Sequence, residues 1–139
     1  MNDEQISQYW LSKLESRYPY QFAWEPDDYL PPGWRPIFEQ LCEHVDLVLP
    51  SFYKDDFRWT SMKEKFGQLR VYYTFVDVDG FDDLGRKRMA PTDVVHNAAL
   101  RASITCQSCG KPGSLRRVGG GYLAVVCTDC EPQCGSDSS

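Results

Sequence analysis

Apolar positions along this chain change period several times, and each change marks a boundary. Ile6, Tyr9, Trp10, Leu14 and Tyr18 recur at helical spacing, Asn2 or Asp3 can cap the start, and Pro19 ends the run near Arg17. Residues 19–33 lose the rhythm. Their four prolines and four aromatic residues predict an irregular segment that is still ordered, because the rings favour burial. Trp34, Ile37, Phe38, Leu41, Cys42, Val45, Val48 and Leu49 then restore an i, i+3, i+4, i+7 pattern closed by Pro50, which predicts the clearest helix. Cys42 lies on that apolar stripe and reads as a packed thiol, whereas His44 falls off it and reads as solvated.

Period two takes over next. Residues 57–66 and 69–76 predict a strand pair, with Leu69, Val71, Tyr73 and Phe75 on one face and Arg70, Tyr72 and Thr74 on the other. Gly67 stands where a two-residue hairpin turn needs positive φ. Residues 77–89 (DVDGFDDLGRKRM) read as a charged, mobile loop. Pro91 and Thr92 are expected to open a third helix to about Ser103, with Val94, Val95, Ala98, Ala99 and Ala102 inward. The order predicts an α+β fold: helices on a small antiparallel sheet over residues 1–104, a ribbon over 105–131 packed on that core, and a disordered tail over 132–139.

Chemistry concentrates in the ribbon. Cys106-Gln-Ser-Cys109 and Cys127-Thr-Asp-Cys130 are two C-x-x-C pairs separated by seventeen residues, the spacing of a closed tetrathiolate zinc site. Gly110 fits the tight turn after the first pair. Residues 114–118 and 122–126, joined by Gly119-Gly-Gly121, read as a two-stranded hairpin. Four thiolates leave no coordination position open, so the ion is expected to be structural, Zn2+ being the fitting metal. Cys134 sits in the polar tail and reads as free.

Composition narrows the partners. The chain has 139 residues, a formal charge of −5 and 42% hydrophobic residues, enough for one core. The acidity is concentrated at the start: residues 1–50 carry nine acidic side chains against three basic ones. No leader-like segment or bilayer-length apolar run is found, and paired cysteines favour a reducing cytoplasm over disulfides. An acidic surface favours a partner with a basic surface over nucleic acid, and no membrane association is expected.

Other candidates are weaker. Lys63, Lys65 and Arg70, with the aromatic residues Trp59 and Tyr72, read as a partner-binding face of the hairpin. The plainer alternative is solvated charge paired with Glu64, Asp55 and Asp56. Lys111, Arg116 and Arg117 are expected to offset the charge of the tetrathiolate. His96 alone makes no catalytic constellation, and no nucleophile elbow, phosphate loop or metalloprotease motif is present. No enzyme activity is expected, apart from a hydrolase built on Asp77, Asp79 and Asp82.

The stretch MKEKFGQLRVYY at residues 62–73, preceded by Gly33-Trp34 and followed by Cys106-x-x-Cys109-Gly-x-Pro-Gly113, resembles a group of small uncharacterised bacterial and phage proteins. They share a KEKFGxLR(F/V)Y hairpin and a CxxCGxPG motif. The resemblance covers roughly residues 30–115, and Gln68 departs from the second glycine that many of them carry. It implies a shared fold and brings no activity. These features together suggest a non-catalytic, zinc-stabilised protein-binding module. It would be an inhibitor, such as an immunity protein neutralising a bacterial toxin or a phage counter-defence protein. The alternative is a nucleic-acid-associated accessory protein using the basic hairpin and ribbon residues.

Overall fold

The computed structural model describes residues 2–76 and 81–130. Asn2 starts helix α1 (Asp3–Arg17) with a reciprocal cap, its side chain accepting from the Gln5 N–H while the Gln5 side chain accepts from the Asn2 N–H. The inward side of α1 is Trp10, Leu11, Leu14 and Tyr18; Ile6 and Tyr9, expected there, are exposed. A 3-10 turn at Pro19–Phe22 leads to a three-residue strand β1 (Asp27–Tyr29), so the segment between the first helices is ordered as anticipated. A second such turn, Pro32–Trp34, feeds helix α2 (Arg35–Val48), followed by a single turn α3 (Ser51–Lys54). Trp34, Ile37, Phe38, Leu41, Cys42, Val45 and Leu49 are buried as the periodicity requires, and Val48 faces solvent.

Strands β2 (Phe57–Lys65) and β3 (Gln68–Phe75) pair antiparallel, and β1 pairs with β2 in parallel, giving the sheet order β1-β2-β3. The hairpin turn consists of Phe66 (φ 54) and Gly67 (φ 76), so both central residues are left-handed, as in a type I′ turn. The Glu64 side chain accepts from the Gly67 N–H at 2.8 Å. The register slips once. Trp59 opposes Tyr73 and Ser61 opposes Tyr72, leaving Thr60 as an extra residue.

This bulge corrects the reading of Trp59 as a surface contact. Strict alternation would align Trp59 with Ser61, Lys63 and Lys65 on the outer face. The extra residue restores Phe57, Trp59 and Met62 to the same inner face, and all three are completely buried. Trp59 stacks obliquely on Phe38 at 5.2 Å and meets Phe57 edge-on at 4.9 Å. Its indole N–H donates to Gln21 Oε1 at 2.8 Å, and Gln21 Nε2 donates to the Cys42 carbonyl and to Tyr20 Oη, each at 3.0 Å. Gln21 is thus a fully buried polar group whose partners span the α1–β1 segment, α2 and β2.

Helix α4 runs from Phe81 to Ala102, a second departure from expectation. The charged run after residue 80 is helical and Pro91 lies inside the helix, so Pro91 does not open it. Two aspartates begin this stretch, followed by Leu84, Arg86, Lys87, Arg88, Met89 and Ala90, all good helix formers, so composition read as a loop is equally compatible with helix. Residues 77–80, the rest of the expected loop, lie outside the described residues, as does the tail from 131 with Cys134. Ala98 and Ala102 are buried where α4 meets α2, and small side chains permit that close approach. His96 is exposed. The ribbon follows as the antiparallel pair β4 (Ser114–Val118) and β5 (Tyr122–Val126), joined by a glycine turn as expected. The chain is α+β, with a ribbon-like end organised by a cysteine cluster.

Candidate metal centre

Two turns deliver the four cysteines. Cys106–Gly110 forms the first knuckle, closed by the Gly110 N–H donating to the Cys106 carbonyl at 2.9 Å, with Gly110 at φ 84. The second follows β5, where the Cys130 N–H donates to the Cys127 carbonyl at 3.2 Å. Their Sγ atoms lie within 4.8 Å of one another, and Cys109 and Cys127 are 3.6 Å apart. A tetrahedron with metal–sulfur bonds of about 2.3 Å has edges of about 3.8 Å, whereas a disulfide needs about 2.05 Å. The cluster fits a single tetrahedral ion, and none of these thiols is paired in a disulfide.

The electrostatics favour a cation. Burial raises the Cys106 thiol, but the backbone N–H groups of Cys109, Cys127 and Ser108 outweigh it and bring it down to about 6. Cys130 is pushed up instead, first by the Cys109 and Cys127 sulfurs and then by burial. A thiolate is readily held at Cys106, and the neighbouring sulfurs oppose one at Cys130 until positive charge enters the cluster. Cys42, far from the cluster on α2, is raised by burial in the core, as a packed thiol should be.

The ribbon is fastened to the core through backbone. Gly33 donates its N–H to the Gln107 carbonyl at 2.8 Å, and the Trp34 indole donates to the Thr105 carbonyl at 2.8 Å. A Cβ at Gly33 would stand 2.1 Å from the Cys106 carbonyl oxygen and 2.7 Å from Gly110 N, so the absence of a side chain is what lets the core touch the knuckle. Gln107, between the first two cysteines, exchanges bonds with β5: its N–H donates to the Val125 carbonyl at 2.8 Å, and its side chain accepts from the Val125 N–H at 3.0 Å. At the other contact, a Cβ on Gly67 would meet Leu115 Cδ1 at 2.4 Å, so the tip of the β2–β3 hairpin rests on the ribbon. The Gly33-Trp34 pair stands out in sequence, but its role as the bolt does not, and nothing in the pattern marked Gln21, Gln107 or Thr60.

The surface candidates are only partly brought together. Lys63 lies directly opposite Arg70 and Lys65 opposite Gln68, with Tyr72 on the same outer face and 55% exposed. Arg70 donates to Gln68 Oε1 at 3.2 Å. Glu64, expected to pair with these cations, caps the hairpin turn instead. Arg116 donates to Ser114 Oγ and Arg117 to the Gly121 carbonyl, so both are engaged within the ribbon. Arg86, Lys87 and Arg88 lie on α4, and Asp77 and Asp79 fall outside the described residues.

Two clefts flank the knuckle. The larger, about 1150 Å³, is bounded by the start of α1, the residues on either side of β1, Arg35, Glu64 and the knuckle residues Gln107 and Ser108. The smaller, about 670 Å³, lies where the hairpin tip meets the ribbon and is lined by Lys65, Phe66, Arg117 and Tyr122 among others. Among the described residues no helix is long and apolar enough to cross a membrane. Compared with models of protein families, with curated proteins and with solved structures, the chain matches none.

Proposed function

We propose that this chain is a non-catalytic, zinc-stabilised binding module that docks on another protein, an inhibitor of the immunity-protein or phage counter-defence kind. Zinc suits four sulfurs in tetrahedral disposition, and four protein ligands leave no position for a substrate. The metal fixes the ribbon, and the ribbon walls the clefts. The observation that carries the reading is the larger cleft. It is peptide-sized, partly apolar, and its charged lining among the described residues is three glutamates, Glu4, Glu25 and Glu64, against Arg35 alone. A net charge of −5 adds long-range attraction for a basic partner.

The second reading, a nucleic-acid accessory protein, is favoured by the smaller cleft. There Lys65 and Arg117 from separate elements sit beside Phe66 and Tyr122, both largely exposed, which is the mixture of cations and stacking surfaces that single strands use. One purification separates the two. The tagged, zinc-loaded chain, taken from its native host at moderate salt, should retain a basic protein in equimolar amount and abolish that protein's activity on mixing. Recovery of nucleic acid, with affinity falling steeply as salt rises, would replace the reading with the second. Recovery of neither sinks both.

A further inference from the structure

We propose that the larger cleft takes an extended, lysine- or arginine-rich segment of the partner protein, which adds a strand to the free edge of β1. This rests on the protein-binding reading and names its site. The sheet order is β1-β2-β3, so β1 pairs on one side only, with β2. No described strand pairs with its outer edge. An edge strand with unpaired N–H and C=O groups is a template for another chain, and proteins that do not use such an edge shield it.

The cleft borders β1 at both ends. Glu25 and Pro26 immediately precede the strand, Leu30 and Pro31 immediately follow it, and all four line the cleft. These prolines confine the strand to three residues and fix where an added strand must begin and end. Ile6 and Leu11 of α1 supply apolar surface in the same cleft. Exposure of Ile6, which the amphipathic pattern of α1 would have buried, is thereby given a use.

Charge selects the segment. Glu4, Glu25 and Glu64 line the cleft, and the strand's own sequence, Asp27-Asp28-Tyr29, adds no cation. Among the described lining residues Arg35 is the single positive group. It lies over the Trp10 ring at 5.6 Å, makes no ion pair with a described residue, and its Nε is buried without a hydrogen-bond partner. The guanidinium lines the cleft that borders β1, and its donors suit a main-chain carbonyl, which an extended segment offers at alternate residues. Partner side chains alternating between apolar and basic would offer apolar groups to Ile6 and Leu11 and cations to the glutamates.

The test uses the full, zinc-loaded chain, labelled with nitrogen-15, and a capped peptide of alternating lysine and valine. Saturable amide shifts at residues 27–30, together with slowed amide exchange within β1, are expected. Glu4→Lys combined with Glu25→Lys changes two exposed side chains and should weaken the peptide about tenfold, a size typical of paired rim charges. Zinc content and the spectrum away from the cleft should stay unchanged. A peptide of the same sequence with N-methyl groups along one edge keeps the charge and removes the pairing donors, so it should not bind. That arm uses the unaltered protein and does not depend on any variant folding. The proposal is overturned if the N-methylated peptide or a glutamate–valine peptide binds as well. It is overturned equally if shifts map to Lys65, Arg117 and Tyr122, or if nothing saturates up to millimolar peptide. A native partner that holds the double variant as tightly as the unaltered chain would remove this site while leaving the protein-binding reading in place. Absence of any partner would remove that reading itself.

Discussion

Replacing Gly33 with alanine adds one methyl group at the point where core and knuckle meet. Gly33 does not occupy the left-handed region, so alanine brings no backbone strain and its effect is purely one of contact. The new Cβ would lie 2.1 Å from the Cys106 carbonyl oxygen and 2.7 Å from both Gln107 C and Gly110 N. These are backbone atoms, so no side-chain rotation relieves the overlap and the knuckle must move away. Moving it stretches the Gly33–Gln107 and Trp34–Thr105 hydrogen bonds, worth about 1 kcal/mol each and more if buried donors are left unpaired. Overpacking adds about 1–3 kcal/mol. The stiffer unfolded chain returns less than about 1 kcal/mol. A net loss of about 2–5 kcal/mol follows, a large part of the 5–15 kcal/mol typical of a domain. Urea denaturation of the zinc-loaded chain, followed by tryptophan fluorescence, measures it. Gly120→Ala is the control: φ is 65 there, but the nearest heavy atom to a Cβ is 3.5 Å away in the Tyr122 ring, so only the left-handed penalty of about 1–2 kcal/mol applies. If Gly33→Ala costs no more than Gly120→Ala, the bolt between core and ribbon does not exist as described.

Trp59→Phe should cost about 1–3 kcal/mol in the same assay, because it keeps a ring but strands the Gln21 oxygen inside the core; Tyr72→Ser on the outer face should stay near zero. Deleting Thr60 removes the extra residue and leaves Phe57, Trp59 and Met62 at regular two-residue spacing on the inner face, so circular dichroism should show a chain that still folds cooperatively; loss of cooperative folding would mean that the bulge does not set the parity of β2. Alkaline pH should destabilise the protein. Cys42 and Tyr20 are both raised by burial, so the unfolded chain releases their protons near 9.0 and 10.0 while the folded chain keeps them. Stability is therefore full below pH 9 and falls above it, by up to about 1.4 kcal/mol per pH unit for each proton. Urea midpoints at pH 8 and 10 check this, and Cys42→Ala should flatten the slope.

Local signals carried most of the elements. Helix α2 was legible because its apolar stripe, its Pro50 stop and its burial all agree. The ribbon was legible because thiolate spacing is a covalent-scale constraint that tertiary context cannot override. Failures arose where one residue resets a pattern. Thr60 shifts the parity of β2, and nothing in the alternation announces it, so strict alternation puts Trp59 on the wrong face. Residues 81–90 read as a loop by their charges, yet the same residue types favour helix. Of the site, the four cysteines were visible and their setting was not. The approach of Gly33 to the knuckle, the bridge from Gln107 to β5, and the cleft beside β1 are all products of long-range packing, which no periodicity encodes.

X-ray absorption at the zinc edge, on reduced and purified protein, bears most directly on this account. A single stoichiometric zinc with four sulfur neighbours at about 2.3 Å, and no oxygen or nitrogen neighbour, is the predicted result. Substoichiometric metal, a shell containing a light atom, or cysteines joined to one another would contradict it.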